Sequence, residues 1–549
     1  MGKGVKAAVI GGVFAVMVGG AGYGVYNIVS AVNGGGSGSG SEATVTKRSG
    51  PPDEEEVAKA SGAFFAAWEK AQAEQAASYT NNAGEAGSLL AAYGEDARIA
   101  DVEITPGTAT GTTVPFRVKA TVSYDGKSEP LTYKSELTVV RGKTTGRALV
   151  DWQPSVVHPD LKDGDTLVTG EAAQPPIEAV DRDGAVLTEE EYPSLGPILD
   201  TLREKYGDEA GGTSGVELVI RHADGAAGEG AGDTTLLTLA EGEPGRLRTT
   251  LSAGVQAAAE KAVKGFAESS VVAVRPSTGE VLAVANHRED GFNAAFQGRV
   301  APGSTMKIVT AAMLIDNGVT SMNGPAPCPP TATWQSQTFK NLTDMEPNEN
   351  ATLANSFLRS CNTAFIKLVD EDPLTDASLS QEAQERFGLG RDDWKTGIVS
   401  FDGSVPAVAG PDRAAGAIGQ GQVQMNPLNM ASVTATAITG AFRQPYLVSP
   451  ELDGRQLARA KGLPAGTAAQ LKQMMRLTAT QGTAQKAMAG LGGDIGAKTG
   501  SAEVDGNNAS DSWFTGFRND VAAAAMVQQG GHGGDAAGPI VAAVLRAGG

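Results

Sequence analysis

At 549 residues the chain has room for several domains of about 100–200 residues each and for a large buried core. Asp and Glu total 63 against 44 Lys and Arg, a formal net charge of −19 with no basic block beyond the first few residues, which argues against a nucleic-acid partner. His158, His222, His287 and His532 stand singly and Cys328 and Cys361 complete the cysteines, so no metal-ligand cluster is visible and no cofactor is expected.

Lys3 and Lys6 precede an uncharged stretch at 7–32 that is rich in Val, Ala, Ile and Gly. About 20 mainly apolar residues span a bilayer, and lysines on the N-terminal side keep the start in the cytoplasm. The expectation is a single-pass membrane anchor at 1–33, with everything after it exported. Cleavage as a signal peptide after Val29-Ser30-Ala31 is the alternative. A retained anchor is favoured because the run continues past a typical signal core. The Gly/Ser run at 34–40 opens a flexible linker, 34–52.

From 53 to 77 the pattern is helical, with Val57, Ala60, Phe64, Ala67 and Trp68 on one face. Strand-like runs follow at 99–104, 114–124, 131–140 and 148–152, and Asp125-Gly126 is a hairpin turn signal. One helix on a curved antiparallel sheet is expected for 53–159. No catalytic constellation is visible there, so the module reads as a spacer. Residues 160–264 form a middle module with a Gly-rich loop at 223–233 and an Ala-rich helix at 255–263, again without catalytic groups.

The last module, 265–549, opens with strands at 271–274 and 281–285 around a Pro276-Ser277-Thr278-Gly279 turn. Pro302-Gly303 then precedes Ser304-Thr305-Met306-Lys307 and an apolar run closed by Asn317-Gly318, so Ser304 sits in the first turn of a buried helix. Three residues apart on that helix, the Ser304 hydroxyl and the Lys307 amine share a face. A neutral lysine can take the proton of such a serine, and burial or a second cation lowers its pKa from about 10.4. Alone, Ser-x-x-Lys is also what a helix cap and a surface lysine look like. Ser360-Cys361-Asn362 lies between helical runs at 353–358 and 363–369, where Ser and Asn suit a capping turn. Lys498-Thr499-Gly500-Ser501 lies in a strand at 496–503. Strands at 512–517 and 521–527 and a closing helix at 536–545, weakened by Gly538 and Pro539, complete an α+β domain: a five-stranded antiparallel sheet flanked by helices.

Those three motifs, in that order, are the signature of penicillin-binding proteins and serine β-lactamases. The chain resembles a class B penicillin-binding protein, a monofunctional peptidoglycan D,D-transpeptidase. The resemblance implies that Ser304 is the nucleophile and Lys307 its base. Ser360 would relay a proton, and Asn362 would hold Lys307 and the substrate backbone. Lys498, Thr499 and Ser501 would bind the terminal carboxylate of a stem peptide ending in D-Ala-D-Ala, with Gly500 admitting the backbone. The amides of Ser304 and Ser501 would form the oxyanion hole, worth about 10²–10³ in rate per donor. The family often has Thr where this chain has Ser501. Penicillins and other β-lactams would acylate the same serine.

The resemblance extends to the earlier modules. Residues 53–159, ending in Trp152-Gln153-Pro154-Ser155-Val156-Val157-His158-Pro159, resemble the NTF2-like domain of the staphylococcal resistance-type proteins. Ile177-Glu178-Ala179-Val180-Asp181-Arg182-Asp183-Gly184 is similar to a family segment in the middle, linker or dimerisation-type module, with Pro175-Pro176 in place of its leading Arg-Gly. Ala417-Ile418-Gly419-Gln420-Gly421 matches another, near the base of the active site and without assigned chemistry. No Glu-Asp-x-x-Phe motif of a glycosyltransferase appears, which implies a separate glycosyltransferase as partner. A carboxypeptidase or β-lactamase would use the same acyl-serine, but the Glu-x-x-Leu-Asn-type segment of class A β-lactamases is missing. A penicillin-binding sensor or scaffold is a third possibility, and the choice among elongation, division and sporulation stays open.

The exported topology puts Cys328 and Cys361 where disulfides persist. A bridge between them is expected, tying the second motif to the chain after the nucleophile helix. It requires Cα atoms within about 7 Å; otherwise Cys361 is a small buried residue and Cys328 a loop position.

Overall fold

The computed structural model describes residues 49–223, 233–342, 345–503 and 509–549. The expected membrane stretch at 7–32, the Gly/Ser run at 34–40 and most of the expected loop at 223–233 lie outside these residues. Among the described residues no helix is long and apolar enough to cross a membrane. Contacts divide the chain into two compact units: residues up to Val168 with Val219–Thr234, and Thr169–Leu218 with Thr235–Gly549.

In the first unit, Asp53 and Glu56 form a capping box that starts the helix Glu54–Glu69. Its apolar face buries Val57, Ala60, Phe64, Ala67 and Trp68, as the spacing predicts, and Phe65 besides. The Trp68 ring meets Tyr93 edge-on at 5.4 Å and Phe116 at 6.1 Å. The sheet has four antiparallel strands, Ile99–Pro106, Thr113–Tyr124, Lys127–Arg141 and Ala148–Val150, in chain order. Asp125 and Gly126 both have positive φ, 47° and 74°, the geometry of a tight two-residue hairpin turn. The helical part differs from expectation. The chain leaves the first helix at Ala71 (φ 55°) and makes a second, Ala73–Ala77, and a third, Ala83–Glu95. So, among the described residues, three α-helices, not one, accompany the sheet.

The core of the second unit is a five-stranded antiparallel sheet. Its order is Val281–His287, Ser269–Val274, Val521–Val527, Asp511–Arg518 and Ile495–Ala502. Every residue of Ser269–Val274 and Val521–Val527 is buried. Alternate side chains enter two different cores: Val272, Ala522, Ala524 and Met526 one, and Val271, Ala273, Ala523 and Ala525 the other. With period-2 alternation, that pattern requires cover on both faces. The helices Ala253–Val263 and Ala537–Gly548 cover the second core. The first contains Lys307–Asp316, whose residues from Lys307 to Leu314 are all buried. Gly538 and Pro539 fall in the first turn of the last helix, where the N–H that Pro539 lacks would have no intrahelical partner, and the Gly538 N–H donates to the Gly533 carbonyl at 2.9 Å.

At the far end of the Lys307–Asp316 helix, Glu382 is buried on the packed helix Ser378–Phe387, and its Oε1 has no hydrogen-bond partner. Burial, with Asp316 and Glu385 nearby and Arg386 opposing them, raises its carboxyl to about 8. The folded state therefore holds a proton between about pH 4.5 and 8 that the unfolded chain releases, and stability falls as pH rises through that window. Glu382→Gln should melt several degrees higher than wild type at pH 8 and lose that advantage near pH 4. Equal melting temperatures across this range would exclude the effect.

Candidate active site

Ser304 lies in a 3-10 turn, Gly303–Met306, and the α-helix proper begins at Lys307. Gly303 has φ 53°, and a Cβ on it would collide with the Ser501 carbonyl oxygen. The turn and the end of the edge strand Ile495–Ala502 are therefore in direct backbone contact. Behind the turn, Gly303 N–H donates to the Gly419 carbonyl at 2.9 Å. The Gly419 segment, similar to a family pattern without assigned chemistry, therefore supports the nucleophile turn.

Lys307 is fully buried, and its Nζ donates to Ser304 Oγ at 2.9 Å, to the Ser360 carbonyl at 2.9 Å and to Asn362 Oδ1 at 2.6 Å. Desolvation, and then the nearby Lys498 ammonium, hold its pKa well below the ordinary lysine value. Lys498 is equally buried; its Nζ donates to Ser360 Oγ at 2.8 Å and to the Thr499 carbonyl at 2.9 Å. Burial lowers its pKa to about 7. The rings of Phe365 and Phe357 lie 5.5 and 5.6 Å from the two ammonium nitrogens.

Ser360 carries both lysines, through different atoms. It has φ 62°, uncommon for a residue with a Cβ, and sits between the helices Leu353–Leu358 and Asn362–Leu368. Its carbonyl faces Lys307 and its hydroxyl faces Lys498. The hydroxyl does not cap the following helix: the N-cap is Cys361, whose side chain makes no capping bond. Thr499 is nearly buried and shares a 2.6 Å hydroxyl contact with Thr483, while Ser501 is half-buried. Gly500 packs within 2.9 Å, by the measure of an added Cβ, of the Pro302 carbonyl. The structure thus brings Ser304, Lys307, Ser360, Asn362 and Lys498 into one hydrogen-bonded cluster and sets Thr499, Gly500 and Ser501 along its rim. Thr483 and Asn341 join the cluster without being singled out in the sequence; each meets its partner only through the fold.

Cys328 and Cys361 form a disulfide with Cα atoms 6.2 Å apart, and both are fully buried. The bond closes a loop spanning 33 positions and could contribute about 3–4 kcal/mol through the unfolded state. A Cys328→Ala/Cys361→Ala protein should melt several degrees below wild type under oxidising conditions, and wild type should fall to the same value when fully reduced. An unchanged melting temperature in both would remove the bridge from the stability account.

This is the arrangement of a serine acyl-transfer enzyme: a hydroxyl at a helix start, a buried low-pKa amine on it, and a second hydroxyl–amine pair alongside. The sequence matches the model of the penicillin binding protein transpeptidase domain over residues 269–546, just over half of the chain. It matches the NTF2-like N-terminal transpeptidase domain over 56–165. Peptidoglycan D,D-transpeptidase PbpA of Mycolicibacterium smegmatis is 31% identical over 366 residues, 55% of this chain and 73% of that protein. Its Mycobacterium tuberculosis namesake is 28% identical over 363 residues, 55% and 72% of the two chains. Among solved structures, Pseudomonas aeruginosa PBP2 in complex with WCK 5153 aligns with a TM-score of 0.52 at 22% identity, over 68% of this chain and 96% of that one. The D,D-transpeptidase domain of a peptidoglycan glycosyltransferase from Eggerthella lenta aligns with 0.50 at 22%, over 68% and 98%. The chain belongs to the penicillin-binding protein transpeptidase family, with the NTF2-like module preceding the transpeptidase domain in a class B arrangement. It is a serine-type transpeptidase.

Proposed function

We propose that this transpeptidase crosslinks peptidoglycan stem peptides through an acyl-enzyme on Ser304. The observation that carries the reading is the 2.9 Å contact from a fully buried, low-pKa Lys307 to Ser304 Oγ. Lys307 takes the proton of Ser304 as Oγ attacks the carbonyl of the penultimate D-Ala, and the amides of Ser304 and Ser501 receive the oxyanion. As the peptide C–N bond breaks, the Ser360 hydroxyl gives its proton to the departing D-Ala amine and regains one from the Lys498 ammonium, its partner at 2.8 Å. An amine from a second stem peptide then attacks the ester. Its lost proton returns by Ser360 to Lys498, and Lys307 returns the first proton to Ser304. Thr499 and Ser501 bind the terminal carboxylate beside Lys498. A pKa of about 7 suits Lys498 to both giving and regaining a proton.

Residues 7–32 would hold the enzyme at the membrane with the catalytic module outside, 53–159 and 160–264 would act as spacers, and a separate glycosyltransferase would supply the glycan strands. The test is peptide mapping after reaction with a fluorescent penicillin, together with mass spectrometry of products from pre-polymerised lipid-linked precursor. Label on the peptide carrying Ser304 and crosslinked dimers are expected. Label elsewhere would overturn the site, and release of D-Ala without dimers would make the enzyme a carboxypeptidase. The two lysines also set the pH profile. Acylation should rise as Lys307 loses its proton and fall above about pH 7 as Lys498 loses its own, so Lys498→Arg should remove the alkaline limb. An alkaline limb unchanged in that variant would assign it to another group.

A further inference from the structure

The helix Asn362–Leu368 starts inside the second motif, yet its N-cap residue, Cys361, offers no capping oxygen. Its side chain is committed to the disulfide with Cys328. The missing acceptor comes from elsewhere in the chain. Asn341 Oδ1 accepts from the backbone N–H of Asn362 at 2.8 Å and of Thr363 at 3.1 Å. Its Nδ2 donates to the Pro329 carbonyl at 2.9 Å and to Thr363 Oγ1 at 3.0 Å. Asn341 immediately follows the hairpin Thr331–Trp334/Gln337–Lys340. The last residue of that hairpin adds a second constraint: the Lys340 carbonyl accepts from Asn362 Nδ2 at 3.2 Å.

That second bond decides which way the Asn362 amide faces. With Nδ2 held by a carbonyl, Oδ1 must face the other way, and it accepts from Lys307 Nζ at 2.6 Å. A flipped amide would set an N–H donor against the lysine amine. We propose that Asn341 is a positioning residue of the reaction: it caps the Asn362–Leu368 helix from 21 residues earlier and so fixes Asn362, and through Asn362 the amine of Lys307. The proposal rests on the reading of Lys307 as the base of Ser304. Asn341 touches no reacting atom.

Loss of the cap frees the helix start, and a displacement of about 1 Å at a catalytic group can cost on the order of 10² in rate. It also weakens the Asn362 acceptor that favours the protonated form of Lys307, so the lysine titrates lower. Asn341→Ala should reduce the second-order rate of acylation by a fluorescent penicillin by about 10–100-fold. The rising, acidic limb of its pH profile should move to lower pH. Asn341→Asp keeps an oxygen for both backbone N–H groups and should recover most of the rate. In an Asn362→Ala background, Asn341→Ala should cost less than about threefold, because the residue it acts through is gone.

Wild-type rate and pH profile in Asn341→Ala would overturn the proposal. So would equal slowing in the Ala and Asp variants with an unmoved pH profile, or full additivity with Asn362→Ala. If Asn341→Ala does not fold, a folded Asn341→Asp decides: near wild-type acylation supports the assignment, and tenfold or greater loss refutes it. Wild type serves as the control for the underlying reading, since failure of wild type itself to label at Ser304 would remove the site and not merely the role of Asn341.

Discussion

Lys307→Met should acylate with penicillin about 10²–10⁴-fold more slowly than wild type, the range for losing a positioned general base, while melting within about 3 °C of it. The two halves of that expectation come from the same burial. An ammonium fully removed from water is penalised, and desolvation is the main reason the Lys307 pKa is lowered. Unfolding therefore takes up a proton between that lowered pKa and about 10.4, and stability rises with pH across the window. Methionine has no proton to take up, so this part of the pH dependence should vanish, and near neutral pH the penalty itself is gone. Against that gain stand three lost hydrogen bonds, to Ser304 Oγ, the Ser360 carbonyl and Asn362 Oδ1. The opposing terms are each a few kcal/mol, which leaves the melting temperature nearly still while the rate collapses. Measured stopped-flow acylation within tenfold of wild type would show that another group takes the Ser304 proton.

Much of the site was legible because its chemistry is local or ordered along the chain. The three-residue step from Ser304 to Lys307 survives in the structure even though Ser304 sits in a 3-10 turn and Lys307 opens the helix. Three of the five strands were legible because 271–274, 281–285 and Val521–Val527 are uninterrupted apolar runs that need cover on both faces, whereas Ile495–Ala502 and Asp511–Arg518 are broken by polar and charged residues. What escaped depended on backbone geometry without a residue-type signal. The break after Glu69 occurs at Ala71, a left-handed alanine where a stop would ordinarily show as Gly. The helix Ala83–Glu95 was hidden by Gly84, Gly87 and Gly94, residues that lower helix propensity and here sit in a helix whose packing face is Ala86, Leu89, Leu90 and Tyr93. At Ser360 the residue type suggested a cap. The left-handed φ instead points the hydroxyl to Lys498 and leaves the capping to Asn341, 21 residues away, a pairing that no local pattern encodes.

The other large effect should come from a glycine that touches no substrate. Gly419 has φ 76°, and a Cβ there would run into the Gly303 carbonyl oxygen and come within 2.8 Å of the Met306 Cβ. Both neighbours belong to the turn that presents Ser304, and Gly303 N–H also donates to the Gly419 carbonyl. Backbone packed on backbone cannot rotate out of the way, so alanine at 419 must push the turn off the Ser501 end of the edge strand. Gly421 supplies the control. It has a similar φ of 65°, but an added Cβ meets the Ala415 side chain at 3.3 Å and comes no nearer than 3.8 Å to Asp412, an ordinary contact. Gly421→Ala therefore isolates the left-handed backbone cost, about 1–2 kcal/mol, and should acylate nearly as wild type does. Gly419→Ala adds the collision to that cost and should lose more than about 100-fold in acylation, because Ser304 Oγ and the oxyanion donors no longer share one geometry. It should also melt below the Gly421 variant. Equal acylation rates in the two alanine variants would mean that the Gly303 turn yields freely and that its contact with Gly419 does not hold the nucleophile in place.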